Sequence, residues 1–182
     1  NISLSIAFAD REFDAPISIA TGILVKDALT EVFNLDSIKL KWPNDLVFEK
    51  KKIGGILVEK EVFSNYTKAI VGIGINLELD KKESWWGDFG DFNGKNLRDK
   101  IINKILVKFE ALFSDGLNDW KNLWNQSCIH NDAIISVARN DEIIKGKYLG
   151  INDSGELLLE KKIGEIISFS SGEVSIKGIY NK

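Results

Sequence analysis

An α+β fold is predicted, a mixed β-sheet with helices packed on it followed by a small β-barrel, and three observations predict it. Apolar residues recur with a period of two over residues 2–8, and with three-and-four spacing over residues 19–33 and 97–113. Five short β-like segments then crowd into residues 134–177. The chain has 182 residues, of which 44% are hydrophobic and 28% charged, enough for one domain plus a small module and unlike a disordered or coiled-coil chain.

Each element follows from its local pattern. Ile2, Leu4, Ile6 and Phe8 alternate with small or polar residues, as a half-buried strand requires. After the loop at residues 10–15, Pro16 suits a first helical turn, and Ile19, Ala20, Ile23, Leu24, Ala28 and Val32 form one face of a helix ending near Phe33. Ile38, Leu40 and Trp42 alternate with Lys39 and Lys41, Pro43-Asn44-Asp45 turns the chain, and an apolar run resumes at residues 46–48. Lys50 to Lys52 mark the next turn. Residues 53–63 and 68–77 read as strands joined around Ser64-Asn65-Tyr66, which makes a meander. Residues 78–95 carry Trp85, Trp86, Phe89 and Phe92 without a period and read as a long loop, poor in aliphatic residues and expected to be mobile until a ligand covers it. Leu97, Ile101, Ile105, Phe109 and Leu112 trace a second helix, and Leu117, Trp120, Leu123 and Trp124 a third. Short strands at 134–138, 142–149, 156–160, 165–170 and 173–177, separated by turns such as Asn140-Asp141 and 152–155, suggest the barrel. The implied domains are residues 1–131 and 132–182.

Composition removes several function classes. The 24 Lys and Arg against 27 Asp and Glu give a formal net charge of -3 with both signs mixed, without the basic footprint of a nucleic-acid binder. No apolar stretch approaches the roughly 20 residues of a membrane span, so a cytoplasmic protein is expected. With Cys128 and His130 each the sole residue of its type, neither a disulfide nor a zinc site built on several of them is available, and both are read as structural. The chain opens at Asn1 and has no Met, so it is expected to be a fragment.

The chemistry-bearing stretch is Lys41-Trp42-Pro43-Asn44-Asp45-Leu46 followed by Lys52-Ile53-Gly54-Gly55-Ile56-Leu57-Val58-Glu59. Strand alternation sets Lys41 opposite Leu40 and Trp42, the turn presents an amide and a carboxylate, and Gly54-Gly55 lets a ligand approach the backbone. By composition alone, plain hairpin chemistry with a solvated lysine run accounts for the same residues. Gly72 and Gly74 do not make a dinucleotide fingerprint, because Leu77 stands where the third glycine belongs.

Order and spacing add more. The segment resembles the signature of biotin protein ligases, K-W-P-N-D followed by K-(I/L)-(A/G)-G-I-L-(V/I)-E. The resemblance extends through Gly72-Ile73-Gly74-Ile75-Asn76 to Gly172-Glu173-Val174-Ser175-Ile176-Lys177 and so covers essentially the whole chain. It implies a catalytic domain like that of class II aminoacyl-tRNA synthetases plus an SH3-like barrel. It also implies ATP-dependent formation of biotinyl-5'-AMP and transfer of biotin to one lysine of a biotin carboxyl carrier protein, in the biotin–acetyl-CoA-carboxylase ligase class. A lipoate-ligase-like enzyme and a non-catalytic biotin-sensing dimerisation module are the alternatives.

By the same resemblance, Lys52 and Asp45 are catalytic, Lys52 lying beside the biotin carboxylate and the α-phosphate. Lys52, Gly55, Leu57 and Val58 bind biotin. Lys41, Asn44, Asp45, Asn76, Trp85 and Trp86 bind ATP, with Asn76 reading adenine, the two tryptophans forming an aromatic lid and Asp45 helping to hold Mg²⁺. Glu173 and Lys177 are read as barrel-surface charges. The family's glycine- and arginine-rich biotin loop, and an early serine and threonine that contact biotin, are absent from this sequence, so an N-terminal part is expected to be missing. Acetyl-CoA carboxylase's carrier domain is the expected partner, with a homodimer possible.

Overall fold

The computed structural model describes residues 1–9, 14–64, 66–80, 83–90, 92, 94, 96–139, 142–171 and 174–177. Arg11 and its neighbours at 10–13, Asn65, Lys95, Asn140, Asp141, Gly172 and Glu173 lie outside these residues, as does the side chain of Lys177.

The elements run β1 (Ile2–Ala9), α1 (Ile17–Phe33), β2 (Lys39–Lys41), β3 (Asp45–Phe48), β4 (Lys51–Val62), β5 (Thr67–Ile75), α2 (Leu97–Asp115) and α3 (Trp120–Ser127). Then come β6 (Ile134–Arg139), β7 (Glu142–Ile151), β8 (Leu157–Lys162), β9 (Glu165–Phe169) and β10 (Val174–Lys177). The first sheet has the order β1-β5-β4-β3-β2 and the second β10-β6-β7-β8-β9. Within both, the strands pair antiparallel throughout, and parallel pairing is confined to the isolated bridges Leu40–Cys128 and Lys52–Trp86. The expected mixed sheet is corrected on this point. Residues 45–75 form three strands joined by tight turns, which are antiparallel by construction, whereas parallel neighbours need a long crossover.

Period-two alternation sorts the first sheet into two faces. Ile2, Leu46, Ile56, Val71, Ile73 and Ile75 are buried and share a core with Ile19, Ile23 and Val25 of α1, Ile101, Ile105 and Phe109 of α2, and Trp124 of α3. Lys104 and Lys108 of α2 clamp Glu31 of α1 at 2.8 and 2.6 Å, holding its carboxyl pKa down at about 2. The other face carries Ser3, Ser5, Gly55, Leu57, Gly72 and Gly74, and Leu57 on it is 62% exposed. The helices therefore leave one face of the sheet accessible.

The described residues of 78–95 form the expected loop, and it is anchored on the core. Phe89 is 1% exposed and stacks on Phe33 of α1 at 4.0 Å between ring centroids, with Phe48 and Phe92 close by. The segment is poor in aliphatic residues but is anchored by its aromatic ones, which carry equal or larger apolar surface.

Candidate functional site

Cross-strand register gathers the signature residues into one line. Lys41 pairs with Asp45, Asp45 with Gly55, Gly55 with Gly74, and Gly74 with Ser3, a transverse row that crosses all five strands. The next row on the same face is Leu57, Gly72 and Ser5.

Lys52 joins this face through a bulge. Three residues before Gly55, it would point away from Gly55 in a regular strand. Between Leu46 and Val47 the register shifts, so that Leu46 faces Gly54 while Val47 faces Lys52, and Ile53 is the extra residue. The bulge re-aims Lys52, whose Nζ lies 2.5 Å from Asp45 Oδ1. Lys41 Nζ lies 3.4 Å from Asp45 Oδ2. Asp45 and Lys41 are both buried, while the Lys52 side chain keeps 33% exposure and is the cation the solvent reaches. Burial pushes the Lys41 pKa below its ordinary value and the charge of Lys52 adds to that, against the attraction of Asp45. Two cations against one carboxylate leave a net positive notch, suited to an anionic ligand.

Two cavities meet at this notch. One, of about 390 Å³, is lined by Ser3, Ser5, Asn44, Gly55, Leu57, Gly72 and Gly74, among others. The second, of about 510 Å³, is lined by Lys52, Gly54, Gly55, Gly74, Asn76, Leu79, Trp85 and Trp86. Gly55 and Gly74 belong to both.

The glycines of this floor differ in why they are glycine. A Cβ on Gly54 would sit 2.3 Å from the Gly74 carbonyl oxygen, so close strand approach demands that residue. Added to Gly55, Gly72 or Gly74, a Cβ would meet nothing nearer than 3.5 Å, and none of the three has a positive φ. Neither packing nor backbone conformation requires them, which leaves room for a ligand as their physical reason.

The loop that closes the second cavity docks as an extra strand. Lys52 N–H donates to the Trp85 carbonyl at 2.9 Å, and Gly87 N–H donates to the Lys52 carbonyl at 2.8 Å, so the segment continues the sheet beside β4 where β5 ends. Gly87 permits this, since a Cβ there would lie 2.9 Å from Lys51 Cβ. Trp85 and Trp86 meet edge to face at 5.4 Å on the cavity wall.

Several expected residues are placed differently. Val58 alternates with Leu57 and packs against the helix-side core, so its side chain lines neither cavity and only its backbone lies beside Leu57 on the sheet. Asn44 lies in the first cavity rather than with the tryptophans, and its Nδ2 donates to the Ile56 carbonyl at 2.8 Å while Ile56 N–H donates to the Asn44 carbonyl at 2.9 Å. Asn76 lines the second cavity, but its Nδ2 donates to the Gly87 carbonyl at 3.1 Å, making it a staple for the docked loop. Ser3, Ser5, Gly72, Gly87 and Phe89 were given no site role from the sequence, although Gly72 and Phe89 were noted in its motifs. The small residues alternating with the apolar ones in β1 were the signal for the first two.

Asp45 also does not fit a resident Mg²⁺. Each of its carboxylate oxygens is paired with a lysine, and no group of three or more His, Cys, Asp or Glu side chains able to hold a metal occurs among the described residues. Ammonium groups already balance the charge of Asp45, so this carboxylate by itself makes no resident metal site.

Fold and site together place the chain in the class defined by the Biotin/lipoate A/B protein ligase family, whose sequence model matches residues 1–76. Residues 134–177 match the Biotin protein ligase C terminal domain, and with both matches side by side the chain belongs to the biotin protein ligase family. It is 29% identical over 171 residues to the bifunctional ligase/repressor BirA of Salmonella typhimurium, covering 88% of this chain and 53% of that protein. To the BirA of Bacillus spizizenii it is 31% identical over 137 residues, covering 69% of this chain and 42% of that protein. The chain thus spans about half the length of these curated relatives. In fold it is similar to the biotin protein ligase from Aquifex aeolicus in complex with biotin and ATP, with a TM-score of 0.70 at 23% identity over 96% of this chain and 78% of that one. No helix among the described residues is long and apolar enough to cross a membrane.

Proposed function

We propose that this chain carries the biotin- and ATP-handling part of a biotin–acetyl-CoA-carboxylase ligase, with residues 1–131 as the catalytic domain and 132–182 as the SH3-like module. The observation that carries the reading is the transverse row from Lys41 to Ser3, with Lys52 lining one of two cavities that share Gly55 and Gly74. Biotin occupies the cavity floored by Ser3, Ser5, Leu57 and Gly72, and the nucleotide the one walled by Asn76, Trp85 and Trp86.

In the first step a biotin carboxylate oxygen bonds to the α-phosphorus of ATP, the bond from that phosphorus to the bridging oxygen breaks, and pyrophosphate leaves. Carboxylate and phosphate repel each other as they meet. Lys52 reduces this repulsion as a fixed positive charge at the point of encounter, held in place by Asp45. Lys41 deepens the positive potential from below. The docked backbone of Trp85 and Gly87 fixes the β4 segment that bears Lys52. In the second step a lysine amine of the carrier domain bonds to the biotinyl carbonyl carbon, AMP leaves, and the amine gives up a proton. Magnesium enters this reading only with the triphosphate. Leu57, Val62, Phe63, Tyr66 and Ile70 offer exposed apolar surface along β4 and β5, available to the carrier domain or to a second copy of the chain.

The test incubates the full-length protein with biotin and α-labelled ATP, then adds a biotin carboxyl carrier domain. Labelled biotinyl-AMP, released pyrophosphate and a biotinylated carrier are expected. Biotin binding without turnover would instead support a sensing module, and preference for lipoate would overturn the assignment of substrate.

A further inference from the structure

The second sheet reaches back to the row described above through one hydrogen bond. Trp42 is 1% exposed, and its Nε1–H donates to the Gly155 carbonyl at 3.0 Å, across 113 residues of sequence. Gly155 sits in the turn between β7 and β8, which is tied to itself more densely than its length requires. Asn152 N–H donates to the Glu156 carbonyl, and Gly155 N–H to the Asn152 carbonyl, both at 3.0 Å. Asn152 Oδ1 accepts from Ser154 N–H and Glu156 N–H, while Asn152 Nδ2 donates to Glu156 Oε2 at 2.7 Å. Gly155 has φ of +77°, and a Cβ there would lie 3.1 Å from Pro16 and 3.3 Å from Ile19, so the turn rests against the start of α1. A carbonyl presented this rigidly is a fixed point.

The strand it holds needs one. β2 has three residues and forms the edge of its sheet, so among the described residues it is paired by three positions of β3 and the isolated bridge of Leu40 to Cys128. Its outer side is met by residues just before the second sheet, with Ile129 N–H donating to the Leu40 carbonyl at 2.8 Å and Lys39 Nζ donating to the Gln126 carbonyl at 3.3 Å. Trp42 is the next residue after β2, flanked by Lys41 on one side and by Pro43-Asn44-Asp45 on the other. A shift of its indole therefore moves Lys41 and Asp45 together, and with Asp45 the partner of Lys52.

We propose that Trp42 is a positioning residue for adenylate formation, through which the β7–β8 turn of the second sheet sets the Lys41–Asp45–Lys52 cluster. The proposal rests on the adenylation reading above. Of the residues lining the biotin cavity, Asn44 lies within this linkage while Ser3, Ser5, Leu57 and Gly72 lie outside it, so the rate should fall much further than biotin affinity.

The experiment uses the full-length protein and three variants, Trp42→Phe, Asn152→Ala and their combination. Calorimetric titration with biotin supplies both the affinity and the fraction of binding-competent molecules, and pyrophosphate release per competent molecule supplies kcat. Normalisation to competent molecules removes any loss through misfolding. Loss of one oriented hydrogen bond should lower kcat about tenfold in Trp42→Phe, with biotin affinity within about twofold of wild type. Asn152→Ala, which leaves β2 untouched and frees only the turn, should lower kcat in the same direction, and the double variant should be no slower than Trp42→Phe. Retained kcat in either single variant, or losses that multiply in the double, would overturn the proposal. Absence of pyrophosphate release by the wild type would fail the adenylation reading itself, a separate outcome.

Discussion

Replacing Lys52 with alanine separates what this residue does for the fold from what it does for the reaction. The Lys52 side chain is 33% exposed, and Asp45, its partner at 2.5 Å, keeps Lys41 at 3.4 Å when Lys52 is gone. Lys52 is the solvent-facing member of the pair and the buried Asp45 stays paired with Lys41 without it, so Lys52→Ala should melt within a few degrees of wild type. The reaction loses more. Asp45 then neutralises Lys41, the notch loses its net positive charge, and biotin carboxylate and α-phosphate must approach unassisted. Removal of one preorganised electrostatic contact typically costs about two to three orders of magnitude in rate, near 3 to 4 kcal/mol of transition-state stabilisation. The assay is single-turnover pyrophosphate release at saturating biotin and ATP, beside a thermal melt and the exposed control Lys50→Ala. A Lys52→Ala protein within about threefold of wild type, or a Lys50→Ala protein slowed as much, would refute the reasoning.

Three further outcomes follow from the same geometry. His130 is buried and neutral with its pKa lowered to about 4 from 6.5, mainly by burial and further by the charge of Lys41. Between pH 4 and 6.5 the unfolded chain binds the extra proton, so this contribution to stability is complete above pH 6.5 and is lost as pH falls toward 4. It amounts to a few kcal/mol, on the order of 3, and urea melts of His130→Gln should show a flatter slope in that window than wild type. The double variant Gly72→Ala, Gly74→Ala has room for both methyl groups in the folded chain, so calorimetry should show biotin affinity down at least about tenfold with the melting temperature little changed. Gly87→Ala brings a methyl group within 2.9 Å of Lys51 Cβ, so the docked loop should be cleaved faster in limited proteolysis and nucleotide binding should weaken while biotin binding holds.

The fold was largely legible because its periods are regular. Ile2, Leu4, Ile6 and Phe8 alternate and form β1, and Pro16 precedes α1 as expected of a residue without an N–H to satisfy. The signature residues were legible as a set because three of them, Lys41, Asp45 and Gly55, are consecutive members of one cross-strand row. What escaped depends on long-range geometry. The bulge at Ile53 decides which face Lys52 occupies, and no local pattern announces a one-residue slip. Val58 alternates with Leu57, so strict use of the strand period turns its side chain toward the core and leaves only its backbone for the site. The amides of Asn44 and Asn76 look like ligand readers in sequence, yet each donates to a main-chain carbonyl of another segment, Ile56 and Gly87. The loop at residues 78–95 was read from its scarcity of aliphatic residues, whereas Phe89 anchors it through a stack on Phe33, 56 positions earlier in the chain.

The most direct test of the two-cavity site is amide chemical-shift mapping of the full-length protein, first with biotin and then with a non-hydrolysable ATP analogue. Biotin should move Ser3, Ser5, Leu57 and Gly72, and the nucleotide Asn76, Trp85 and Trp86, with Lys52, Gly55 and Gly74 responding to both. Biotin shifts centred on Asn76 and the tryptophans, or nucleotide shifts centred on Ser5 and Leu57, would contradict the division of the site at Lys52.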